Sequence, residues 1–224
     1  MSTRTGQTLR AFYDAMLSAY GPQHWWPAQT REEVIVGAIL TQNTAWRNVE
    51  RAIDNLKRAG ALDWRVLADL PTEDLAKLIR PAGTYQVKTR RLKAFVGWFW
   101  ERYDADLDRM FATPIPTLRT ELLSVSGIGR ETADAIILYA GNLPTFVVDA
   151  YTARILCRHR LIDESADYDE IKDLFESNLP ADAAYFNEYH ALLVQVGKLH
   201  CRPQARCPAC PLDPFDHEVP TEEP

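Results

Sequence analysis

No apolar run in this chain is long. Of its 224 residues 46% are hydrophobic, enough for a sizeable core, yet no stretch approaches the roughly 18 residues that a membrane-spanning helix needs. The first residues, Met1 to Gln7, are polar without a hydrophobic signal core, so the expected location is cytoplasmic, and nucleoid-associated in a prokaryote. The chain also lacks a basic excess. Its formal charge is −6, which argues against a protein that grips nucleic acid by bulk electrostatics and leaves room only for a few placed cations. Cysteine is scarce, at four residues, too few and too unevenly placed for a disulfide framework. Internal repeats, low-complexity segments and long linkers are missing, and period-two alternation is rare, which excludes solenoid and sheet architectures.

What remains is helical punctuation. Thr30-Arg31-Glu32-Glu33 has the form of a capping box, followed by Val34, Ile35, Ala38 and Ile39 on one side of a helix. Val49, Ile53 and Leu56 continue the spacing on the next. Thr72 is placed to cap a helix carrying Leu75 and Leu78, Gly83 marks a turn, and Val87 to Trp100 is apolar at helical intervals. Pro114-Ile115-Pro116-Thr117 reads as a break before a helix from Leu118 to Val125, and Thr132 to Tyr139 reads as its successor. The fold class is all-α.

Between those last two helices stands Val125-Ser126-Gly127-Ile128-Gly129-Arg130-Glu131. Two glycines bracketing one aliphatic residue allow a sharp turn and let main-chain N–H groups approach an anion such as a phosphate. Some twenty residues on, Asp149 follows the apolar stretch Leu143 to Val148, so a carboxylate emerges at the edge of a core. Lys88, Arg90, Arg91 and Lys93 form one basic cluster, and Arg154, Arg158 and Arg160 another. Each is either a set of phosphate contacts or a solvated helix face.

Two further segments carry unusual chemistry. In His24-Trp25-Trp26-Pro27 adjacent indoles cannot share one face of a regular element, and Leu40-Thr41-Gln42-Asn43-Thr44-Ala45-Trp46 brings a third indole. These rings are either core or a stacking platform. Near the end, Cys201, Cys207 and Cys210 follow a Cys-x5-Cys-x2-Cys pattern, which in a reducing compartment points to metal before disulfide. Isolated Cys157 reads as a buried thiol.

At these residues the chain resembles the helix-hairpin-helix DNA glycosylases, the superfamily of endonuclease III, the adenine glycosylase acting on mispairs, and the alkylpurine glycosylases. Trp25-Trp26-Pro27, Leu40 to Thr44 with Trp46, and Glu131 in place of a hairpin lysine resemble one branch, the bacterial endonuclease III-like 3-methyladenine glycosylases. The resemblance implies a two-lobed fold: a six-helix barrel over 28–135 containing the hairpin, and a second helical lobe formed by both termini, 1–27 and 136–224. It implies duplex DNA with damaged bases as partner, and a monomer. Asp149 would stabilise charge at the sugar, with Glu131 beside it in a role left open between holding water and hydrogen-bonding the base.

Trp25, Trp26, Pro27 and Trp46 would line the base pocket in a cleft between the lobes. Gln42 would fill the space left by the flipped nucleotide, and Gly127, Gly129, Arg130, Lys88 and Arg91 would hold the backbone. Relatives that also cut the strand carry a lysine at the position of Glu131; a carboxylate cannot form a Schiff base. The implied activity is therefore monofunctional hydrolysis of alkylated purines. Alternatives are a related glycosylase for another damaged or mispaired base, a non-catalytic DNA-binding module, and an unrelated helical interaction protein. Many relatives hold a [4Fe–4S] cluster on four cysteines; here the fourth position is Asp216. Three thiolates with Asp216, His217 or His200, a Cys3His zinc site, or no metal are the options for Cys201, Cys207 and Cys210.

Overall fold

A computed structural model describes residues 3–218. Among them are twelve α-helices and no strand, as an all-α chain requires. By internal contact they group into two compact units. One is Trp26–Leu143; the other joins the residues up to Trp25 with those from Pro144 onward. The boundaries thus fall at 26 and 143 instead of 28 and 135, because the helical run that starts at Arg130 continues unbroken to Ala140.

The unit Trp26–Leu143 is built on α2 (Arg31–Thr41), which is buried on all sides from Glu33 to Leu40. A one-sided apolar stripe was expected; a helix without a polar face is instead the centre of a core. Around it lie α3 (Trp46–Arg58), α4 (Trp64–Asp69), α5 (Thr72–Leu78), α6 (Tyr85–Tyr103), α7 (Leu107–Phe111), α8 (Ile115–Ser124) and α9 (Arg130–Ala135), the last continuing as a π-helical turn over Ile136–Ala140. Val49, Ile53 and Leu56 are buried as their spacing predicts.

Three local expectations change. The Thr30 hydroxyl accepts from the Glu33 amide at 3.3 Å, but the Glu33 carboxylate reaches the Gln29 amide at 3.1 Å and the Lys57 ammonium at 2.5 Å. The reciprocal box is displaced by one residue, and a buried carboxylate gains a cation in exchange. Pro71, not Thr72, is the N-cap of α5. Pro116 lies in the first turn of α8, whose first residue is Ile115, because proline is pre-organised for helix starts and loses no intrahelical bond there.

The other unit contains α1 (Arg4–Tyr20), α10 (Ala150–Arg158), α11 (Tyr168–Glu176) and α12 (Ala183–Leu199). Its core stacks Phe146 on Phe175, with ring centroids 3.7 Å apart, and sets Phe186 and Tyr189 edge-on against Phe146. The buried Tyr189 hydroxyl donates to the Leu9 carbonyl at 2.7 Å, tying α12 to α1. Gly197 lets α10 approach α12 closely: a Cβ there would lie 2.3 Å from the ring of Tyr151. That approach positions the start of α10 against α12.

Candidate functional site

The hairpin between α8 and α9 is anchored from inside and open outside. Val125 and Ile128 are each 5% exposed, whereas Ser126, Gly127, Gly129, Arg130 and Glu131 are exposed. A fork of Arg119 nitrogens on the fully buried Asp134 carboxylate, at 2.9 and 3.1 Å, clamps α8 to α9. The two glycines differ in cause. Gly127 has φ +88° and a Cβ on it would sit 2.2 Å from the Arg91 Cγ, so the fold itself demands glycine. Gly129 has φ −94° and nothing within 4 Å of a Cβ position. No internal contact calls for glycine at 129. It is the N-cap of α9, no side-chain hydrogen bond caps that helix, and Gly129, Arg130 and Glu131 at its start are exposed, a helix start suited to an anion.

Gln42, expected to project towards DNA, is bound down in this structure. Its Nε2 donates to the Gly127 carbonyl and to the Thr132 hydroxyl, both at 3.1 Å, and its Oε1 accepts from Arg91. Gln42 and Arg91 therefore brace the hairpin against the end of α2 and the side of α6. Lys88 requires a correction. It is fully buried, and its ammonium donates to the Thr44 hydroxyl at 2.6 Å and the Ala82 carbonyl at 2.7 Å. It joins two loops from within and cannot reach phosphate; burial, with Arg91 nearby, lowers its pKa to about 8.

The indoles divide. Trp26 meets Trp46 edge-to-face, ring centroids 5.0 Å apart, and lies 5.2 Å from the ring of Tyr139. All three are half-buried, unlike the core indole Trp64 at 7% exposure. Gly37 of α2 leaves room for Trp26, since a Cβ there would approach the indole to 3.3 Å. Tyr139 escaped sequence reasoning because it closes an expected core helix, and only the π turn shows where its ring goes. Trp25 belongs to the other unit, where the Lys198 ammonium stands 5.7 Å over its ring. Pro27 is exposed.

Asp149 is the N-cap of α10. Its Oδ1 accepts from the Thr152 amide at 2.8 Å and the Thr152 hydroxyl at 2.9 Å, which is what a capping aspartate does. Its Oδ2 is turned towards the His190 Nε2 at 3.8 Å, and the side chain is 15% exposed. Burial lowers the pKa of His190 below the ordinary imidazole value, opposed by the Asp149 charge and assisted by Lys198. At neutral pH the Asp149 carboxylate thus faces a neutral imidazole. His190 gave no sequence signal; its approach to Asp149 depends on the packing of α10 on α12.

The three cysteines Cys201, Cys207 and Cys210 line one cavity of about 30 Å³ together with Arg158, Asp213 and His217. Arg158 donates to the Cys201 sulfur at 3.2 Å. Donor atoms of Cys207, Asp213 and His217 lie within 4.8 Å of one another. Asp216, a candidate fourth ligand, has a side chain 90% exposed and directed at Arg160. The Nδ1 of His200 engages the Arg206 carbonyl at 3.1 Å. Cys157 is partly buried and belongs to none of this.

Known proteins share this architecture. Residues 36–181 match the family described as HhH-GPD superfamily base excision DNA repair protein. A Methanocaldococcus jannaschii protein bearing the name "Putative DNA repair glycosylase" is 50% identical over 205 residues, covering 91% of this chain and 93% of its own. Among solved structures, the 3-methyladenine DNA glycosylase of Helicobacter pylori bound to 1,N6-ethenoadenine superposes with a TM-score of 0.74 at 28% identity, over 88% of this chain and 98% of that one. A trapped endonuclease III–DNA intermediate superposes with a TM-score of 0.78 at 22% identity, over 95% of this chain and 94% of that one, a likeness of fold.

Proposed function

The chain belongs to the HhH-GPD superfamily of base excision DNA repair proteins, and from that premise we propose that it is a monofunctional glycosylase hydrolysing the N-glycosidic bond of alkylated purines in duplex DNA. The observation that carries this choice of base is the half-exposed cluster of Trp26, Trp46 and Tyr139. Aromatic faces stack on an extruded base for on the order of 1–3 kcal/mol. They add attraction to a cationic ring, which N3 or N7 alkylation creates. A pocket for an oxidised pyrimidine or a mispaired adenine would need edge-reading polar groups instead.

An alkylated, positively charged purine departs as a neutral base, so little proton donation is required. The C1′–N bond breaks with its electron pair going to the base, the sugar acquires oxocarbenium character, and a water oxygen bonds to C1′ and releases a proton. A fixed anion lowers the energy of that cationic sugar. Asp149 is suited to this role because Thr152 holds one carboxylate oxygen and fixes the other. Glu131 supplies an exposed carboxylate in the first turn of α9, either to hold water or to hydrogen-bond the base, and it offers no amine for lyase chemistry.

Gly129, with the open first turn of α9, is the proposed phosphate contact, joined by Arg130. Gln42 would have to leave Gly127 and Thr132 to fill the space of a flipped nucleotide, so in the unbound protein it serves as a brace. The test is incubation of the purified protein with duplexes bearing one defined lesion, scoring released base separately from strand cleavage. Release of 3-methyladenine or 7-methylguanine with an intact abasic strand is expected. Preferred release of an oxidised pyrimidine or mispaired adenine would replace this reading with that of another glycosylase in the superfamily.

A further inference from the structure

The cysteine loop does not supply the four thiolates that an iron–sulfur cubane takes, because Asp216 stands in the fourth position and turns its carboxylate to solvent. We infer that this loop binds a single divalent transition-metal ion of zinc's class through Cys207, Asp213 and His217.

Three features carry this assignment. The donor atoms of the three residues already lie within 4.8 Å of one another, and the His217 Nε2 is 3.7 Å from the Asp213 Oδ1. Ligands on a tetrahedral zinc at about 2.0–2.3 Å stand about 3.3–3.6 Å apart, so the nitrogen and oxygen are nearly in place and the sulfur must move inward by an ångström or so.

The imidazole is also oriented as a ligand. Its Nδ1 faces the Phe215 carbonyl at 2.8 Å, which fixes the proton there and leaves the Nε2 lone pair for a metal, the arrangement that metal-ligating histidines use. Finally, the donor set is sulfur, nitrogen and oxygen, matching zinc and not the all-thiolate preference of clusters. Cys210 lines the same cavity, and it or water completes the fourth position. Bound there, the ion would pin the irregular chain after α12 on itself, a structural role separate from base release.

Metal content of the intact protein, expressed with both zinc and iron available, tests this. One zinc per chain is expected, retained in Cys157→Ser and lost in Cys207→Ser and His217→Ala. Chelated wild-type protein titrated with cobalt(II) should develop thiolate charge-transfer absorption and the visible bands of a tetrahedral ion, which keeps the test independent of how the variants fold. Iron with acid-labile sulfide, surviving His217→Ala, would overturn the assignment in favour of a cluster. Chelated wild type that takes up no cobalt would overturn it in favour of an unmetallated loop. Both readouts are independent of glycosylase activity, so failure here leaves the base-release reading standing, and the reverse.

Discussion

The Asp149 Oδ2 and the His190 Nε2 stand 3.8 Å apart, with the imidazole buried. Because burial holds the His190 pKa below its ordinary value of about 6.5, the ring is neutral at pH 7 and sets no positive charge against the carboxylate. Lowering the pH through the folded pKa of His190 protonates it and sets a cation against that carboxylate. Base release should therefore fall on the acid side, below about pH 6.5, and His190→Gln should flatten that limb. The folded state also binds fewer protons than the unfolded state between the two pKa values, so stability drops as pH falls below about 6.5. Urea midpoints measured across this range should show the drop in wild type and a smaller one in His190→Gln.

The two hairpin glycines should separate. At Gly127 a side chain meets both a positive φ and the Arg91 chain, so Gly127→Ala should destabilise by about 1–3 kcal/mol. At Gly129 a methyl meets nothing within 4 Å, so Gly129→Ala should melt close to wild type and weaken binding to undamaged and damaged duplexes alike. Thermal melts with fluorescence-anisotropy titrations make the comparison. Equal loss of stability in both variants would return Gly129 to a structural role.

Alanine at Trp26, Trp46 or Tyr139 should reduce processing of alkylated purines by about 1–3 kcal/mol in kcat/KM, the range for one stacked aromatic, while affinity for undamaged DNA stays close to wild type. Tyr139→Phe should retain activity, since a ring face is what matters. Steady-state rates on a single-lesion duplex, with circular dichroism of each variant, distinguish this from loss of the core.

Helix positions were largely legible, because apolar spacing reports which side of a helix must leave water. Where the spacing misled, as in α2, the cause was a helix buried on every side, which has no side to report. Capping was less readable: the Glu33 carboxylate is drawn to Lys57 of α3, a neighbour that local sequence cannot reveal. The hairpin and Asp149 could be found from glycines and from a carboxylate ending an apolar run. Lys88 could not, since a lysine in a basic cluster looks solvated until Thr44 and Ala82 are seen around its ammonium. Tyr139, His190 and Asp213 were missed for the same reason: each takes its place from packing or a loop's path, not from spacing along the chain.

Single-turnover base release by Asp149→Asn tests the account most directly. Asparagine can still cap α10 with its side-chain oxygen, so folding and lesion binding should persist. Only the negative charge is removed, and the rate on a duplex bearing one alkylated purine should fall by roughly two to three orders of magnitude, the scale for deleting an electrostatic stabiliser. A rate near wild type, with the variant folded and DNA-bound, would contradict the proposed role of this carboxylate and with it the mechanism.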